Sequence, residues 1–222
     1  MKSTPFMLRT AFGIIATAAA LSLTACSGQG ASEPPAAKSS ERPVAVQNSH
    51  AEAGTAAKKQ ETPEEAFYAA YKESSSDRDK IENMMSRITD LDWKTYRELR
   101  KDVPLMDETL GYLYRNRHMI KPEHYKAVFS ATRNLDGAGS ESYAALASEL
   151  FWTDKKAAIQ ALSGMDDPKR RQSVIGMIAY GLSYKDATQV QKEIEAWQAG
   201  AELTSAEQQI VQSLLEAVKD PY

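Results

Sequence analysis

Cys26 is the only cysteine in the 222-residue chain, and its thiol is the one soft nucleophile present. It closes the apolar run Leu23-Thr24-Ala25 and opens onto Ser27. A single cysteine forms no intrachain disulfide, so any folded part must be held by packing. Two Glu-Ser dipeptides, Glu73-Ser74 and Glu141-Ser142, carry carboxyls of the kind that act as general acids when an apolar cleft raises their pKa. His118 and His124, near Asp107, Glu108 and Glu123, are donors of the type that ligate a metal. No i, i+4 spacing aims the two histidines at one point, and surface or interhelix roles are the plainer expectation. The chain has no G-x-S-x-G, no H-E-x-x-H and no phosphate-binding glycine loop. Catalysis, a metal and a cofactor are therefore not expected.

The richest cluster is a basic, aromatic segment. Residues 93–126 hold eight Lys or Arg against five acids, with Trp93, Tyr96, Tyr112, Tyr114 and Tyr125 among them. Arg and Tyr make good interface contacts, so Trp93, Tyr96, Arg97, Arg100, Lys101, Tyr112, Tyr114, Arg115 and Arg117 form a candidate partner-binding set. Such residues also meet anionic head groups or carboxylates. The competing expectation is that the tyrosines fill the core and the cations coat a solvated face. Residues 186–222, with seven acids and two lysines, are acidic by contrast. Lys169-Arg170-Arg171 is a smaller basic cluster, offset by Asp166 and Asp167.

The elements that must position these residues begin with a leader. Lys2 and Arg9 precede the apolar stretch Ala11 to Leu23, about 13 residues against the roughly 20 needed to span a bilayer. A positive start, a short apolar core and small residues at its end describe a secretory signal peptide over residues 1–25. Leu23-Thr24-Ala25-Cys26 resembles the lipobox of bacterial lipoproteins. That resemblance implies a diacylglyceryl group on the Cys26 sulfur, cleavage before it and acylation of the new N-terminus. It covers residues 1 to about 27 only. Ser27 resembles the outer-membrane sorting signal of Gram-negative lipoproteins, which implies an anchor facing the periplasm. Several acyl chains matter, because one chain alone binds a membrane marginally.

Residues 26–61 are expected to form a disordered tether. Beyond Cys26 they contain no aromatic residue, Leu or Ile, and are dominated by Gly, Ser, Pro, Ala, Glu and Lys. As a flexible coil they span roughly 30–35 Å, and fully stretched about 120 Å. Without residues 1–25 the chain is net −5, which gives no case for nucleic-acid binding.

Residues 62–222 read as one all-α domain of about ten short helices, antiparallel to their chain neighbours. Thr62-Pro63-Glu64-Glu65 and Thr204-Ser205-Ala206-Glu207 are capping boxes. Expected starts fall near 63, 77, 92, 107, 122, 141, 154, 168, 186 and 205, with "DGAGS" at 136–140 as a break. The regular spacing suggests an α-solenoid of the HEAT or tetratricopeptide kind; an irregular helical bundle is the alternative.

Two functions follow as expectations. In the first, the module is a non-catalytic scaffold or assembly factor for an envelope complex such as a pilus, secretion or wall-building machine. The second is action on, or binding to, peptidoglycan or anionic lipid. The Glu-Ser dipeptides resemble the catalytic Glu-Ser of lytic transglycosylases, but the downstream glycine-rich "GLMQ"-like motif of that family is absent. Partner identity and oligomeric state are not set by these residues.

Overall fold

A computed structural model describes residues 60–221. The leader, Cys26 and the tether up to residue 59 lie outside them, so the lipidation site has no structural description. The described residues form ten α-helices. These are α1 (Pro63–Lys72), α2 (Asp77–Met85), α3 (Trp93–Glu98), α4 (Leu105–Arg115), α5 (Tyr125–Ser130), α6 (Gly137–Thr153), α7 (Lys155–Ser163), α8 (Pro168–Leu182), α9 (Ala187–Gly200) and α10 (Ser205–Lys219). Two 3-10 turns, Arg117–Met119 and Pro122–His124, lead into α5. No strand is present among the described residues; Asp92 and Arg133 make a single isolated β-bridge. The stretch Ser173–Gly181, apolar enough to pass for a strand, lies inside α8.

Local chemistry sets most of the starts. Both capping boxes form, with Thr62 and Thr204 hydroxyls accepting from the Glu65 and Glu207 amides and each Glu answering in return. Ser76, Asp92, Asp154, Asp167 and Asp186 cap α2, α3, α7, α8 and α9. Three starts differ from the sequence expectation. Pro122 opens a 3-10 turn, and α5 proper begins at Tyr125. α4 begins at Leu105, straight after Pro104, with no side-chain cap, and Asp107 is already inside it. The buried Leu105 and Met106 fix this start by packing. α6 begins at Gly137, within the "DGAGS" stretch read as a break. Gly139 explains it: a Cβ there would lie 2.2 Å from the Met106 Cε, so the missing side chain lets α6 close on α4. Asp136 does not cap α6, because its carboxylate is held by Arg97.

The heaviest packing is between alternate helices, which run parallel. Met106 and Gly139 meet near the starts of α4 and α6, while Arg117 and Glu149 pair near their ends. Residues 137–144 of α6 and 173–180 of α8 wall a common groove, and Glu149 meets Lys185 farther along both helices. The first halves of α8 and α10 likewise face each other. α4, α6, α8 and α10 therefore stand in one row, with neighbours about 32–38 residues apart in sequence. α5 and α7 pack on each other behind it, and α7 also reaches α10. α6, in the middle, is buried around much of its circumference. Gly181 lies against the α6 backbone; a Cβ there would come 2.4 Å from the Ala144 carbonyl oxygen.

At the other end, α1 to α3 enclose an aromatic core. Phe67, Trp93 and Tyr96 are fully buried and meet edge-to-face at centroid distances of 5.3–6.2 Å. Trp93 Nε1 donates to the Ala131 carbonyl at 2.7 Å, and the Tyr96 hydroxyl bonds the buried Thr109 hydroxyl at 2.8 Å. Glu64, also buried, accepts from the Asp92 amide at 3.0 Å. No helix among the described residues is long and apolar enough to cross a membrane.

Candidate interaction face

The nine residues of the basic, aromatic segment do not form one surface. Trp93 and Tyr96 are core residues with no exposed area, which removes them from any interface. Their spacing puts both on the inward side of α3, where Phe67 covers them. Arg97 is occupied by Asp136 at 3.0 Å. Arg100 forks onto Asp102 at 2.7–2.9 Å and donates to Tyr68, and this guanidinium holds the Asp102 carboxyl down at about 2. Tyr112 donates to Asp77 at 2.8 Å and stands edge-on to Tyr71; burial and Asp77 raise its phenol above the usual range. Lys101 is exposed in the turn before α4. Only Tyr114, Arg115 and Arg117 come together, on the open side of the α4–α6–α8 row.

The other sequence candidates also separate. His124 Nε2 is within hydrogen-bond distance of Glu82 at 3.2 Å, and Lys121 meets the same carboxylate at 2.8 Å. His118 lines a small hollow beside Arg78 and Lys121. No cluster of His, Cys, Asp and Glu able to hold a metal exists among the described residues. Glu73 ends α1 and accepts from Asn83 at 2.8 Å. Glu141 lies on the exposed side of α6 and lines a groove between α6 and α8.

That groove runs between α6 and α8 and has a volume of about 420 Å³. Gly137, Ala144 and Gly176 keep it open, Met177 and Tyr180 give it an apolar wall, and Glu141 is its only charged lining residue. A second groove of about 230 Å³ lies between α4 and α6, with Tyr114 and Arg115 on one side and Ser142 and Ala145 on the other.

Both grooves lead toward the C-terminal ends of the three helices, where cations and aromatic rings alternate. Glu149 on α6 accepts from Arg117 Nε at 3.2 Å and meets Lys185 at 3.6 Å. Arg117 lies 4.6 Å from the centre of the Tyr114 ring. Trp152 has Lys155 and Lys185 over its ring, at 4.2 and 4.6 Å. Tyr180 and Tyr184 stack edge-on at 5.7 Å beside Lys185. Burial, opposed by Glu193 and reinforced by Lys185, holds the Lys155 ammonium below the usual lysine range. Tyr114 and Tyr184, 36% and 72% exposed, are the two large apolar side chains left exposed among the described residues, and both sit on this edge.

Sequence reasoning missed Glu149, Trp152, Lys155, Tyr180, Tyr184 and Lys185. The signal that finds them is register: Arg117, Glu149 and Lys185 are 32 and 36 residues apart, the spacing at which successive members of the row become neighbours.

These features define an all-α protein with a row of parallel helices and a grooved, aromatic and cationic face. No protein-family model, no curated protein and no solved structure matches the chain.

Proposed function

We propose that the chain is a membrane-anchored envelope lipoprotein whose helical domain docks a partner protein, as a non-catalytic scaffold or assembly factor. The lipid on Cys26 and the tether through residue 61 hold the domain to its membrane, with the outer membrane facing the periplasm as the expected site. The α4–α6–α8–α10 row serves as a short solenoid-like stack, a geometry that offers extended surface to a partner. One observation carries the docking role: both exposed large aromatics lie on a single edge, Tyr114 under Arg117 and Tyr184 against Tyr180. Exposed apolar side chains gathered at one place are what an interaction site needs, whereas scattered ones mean little.

The test is proximity labelling from the intact chain in living cells, wild type against the Tyr114→Ser/Tyr184→Ser double variant. The expected result is the loss of one set of neighbours with unchanged protein level. An unchanged set contradicts the reading. A second reading rests on one fact, that Glu141 is the one charged residue lining the α6–α8 groove. If the domain cuts peptidoglycan, zymography on purified cell wall will show clearing that Glu141→Gln abolishes.

A further inference from the structure

We propose that the α6–α8 groove takes an extended peptide segment of the partner protein, with a basic side chain at the Glu141 end and a carboxylate at the Lys155–Lys185 end. The proposal rests on the docking reading and adds the chemistry of the occupant. Three observations carry it.

The first is the charge at each end. Glu141 has no ion-pair partner among the described residues, though it is the one charge lining the groove. Beyond the groove on the Tyr180 side, Lys155 has no carboxylate within ion-pair distance among the described residues, Glu193 acting on it from farther off; its contact is the Trp152 ring, shared with Lys185, which also meets Glu149. A base and an acid on one ligand satisfy both ends.

The second is length. Glu141 and Glu149, the residue that receives Lys185, are eight positions apart on α6, about 12 Å along a helix. Four residues of extended chain cover about 13 Å. A base and an acid at i and i+4 of a strand-like segment match the two ends.

The third is width and polarity. A volume of about 420 Å³ is at the small end of ligand pockets, which run from about 300 to 1,000 Å³. An extended chain with an apolar side chain at i+2 brings less bulk to a groove of this volume than a helix about 10–12 Å across. Ala144 and Met177 receive that side chain, and a Cβ at Gly176 would meet nothing within 4 Å, so the floor has room. Tyr180, on the groove wall, meets Tyr184 edge-on, one residue before Lys185.

Fluorescence anisotropy of a labelled, end-blocked peptide Lys-Ala-Leu-Ala-Glu against the full-length chain in detergent tests the proposal. The peptides Lys-Ala-Leu-Ala-Lys and Glu-Ala-Leu-Ala-Glu are the comparators. Each is expected to bind about three- to fivefold more weakly, the size of one partly exposed ion pair. Glu141→Lys should turn the preference toward the Glu-ended peptide, and a misfolded protein would not do this. Equal binding of all three peptides, no binding, or a preference that ignores Glu141→Lys overturns the proposal. If Tyr184→Ser still strips the cellular neighbours in that event, the docking face stands and only the occupant's chemistry falls. Sedimentation with anionic vesicles that depends on Lys155, or a dimer lost on Glu141→Lys, would reassign the groove to lipid or to a second copy and likewise overturn it.

Discussion

The two ends of the domain solve the same packing problem differently. From α1 to α5 the helices are short, 6 to 11 residues, and none has enough length to bury a wide apolar face. They are joined by aromatic rings and by polar ties between distant residues: Trp93 to Ala131, Glu64 to the Asp92 amide, Asp92 to Asn134, and Glu82 to both Lys121 and His124. From α6 to α10 the helices have 9 to 17 residues and meet through aliphatic side chains, Ala and close-approaching Gly. The difference teaches where function has room. The first end consumes most of its aromatic and charged residues in holding itself together, and of its rings only Tyr114 is left exposed. The second holds itself together by shape, leaving Trp152, Lys155, Tyr184 and Lys185 at its surface.

That contrast predicts unequal costs. Trp93→Ala removes a fully buried ring and strands the Ala131 carbonyl, and should cost about 3–5 kcal/mol in chemical denaturation. Trp152→Ala, at the edge of the other end, should cost less than half as much. Equal costs would erase the distinction between the two ends.

Next in size is the close approach of α6 and α8. Gly181→Ala drives a methyl into the Ala144 carbonyl and should lose about 1–3 kcal/mol by the same measurement. Gly176→Ala, in open space on the same helix, should be neutral or gain a few tenths of a kcal/mol through helix propensity.

Acid should weaken the first end through Asp92. Asp92 is pushed up by burial, but hydrogen bonds from the Thr95 amide and Asn134, with Arg133, outweigh this and leave its pKa lowered. A lowered carboxyl stabilises the fold above its unfolded value, about 3.9, and that contribution is lost as pH falls through the folded value. Asp92→Asn should flatten this acid limb in a pH series of melting temperatures. It should leave the α3 cap in place, since Asn also caps. An unchanged acid limb would mean that Asp92 titrates alike in both states.

The smallest effect on stability is expected at the face itself. Tyr184→Ser, at an exposed site, should stay within about 0.5 kcal/mol of wild type while losing partner proximity. A large stability loss would make Tyr184 a structural residue.

Helix positions were legible because their causes are local. A Thr three residues before a Glu, or an Asp ahead of an apolar repeat, sets a start whatever the rest of the chain does. The departures at α4 and α6 share one cause, the fit of Met106 over Gly139, which joins residues 33 apart. The binding set failed for a related reason. Composition puts Tyr96 and Tyr114 in one class, yet one is sealed beneath Phe67 and the other lies open under Arg117. The aromatic and cationic edge was illegible for the same reason, because it exists only when three helices stand in register.

The most direct measurement places a photo-crosslinking amino acid at position 184 or at position 101 of the full-length chain in living cells. Both positions are exposed, one on the grooved face and one at the self-paired end. A discrete adduct from position 184 and none from position 101 is the predicted result. An adduct from position 101 alone would move the docking surface to the basic segment and contradict the account.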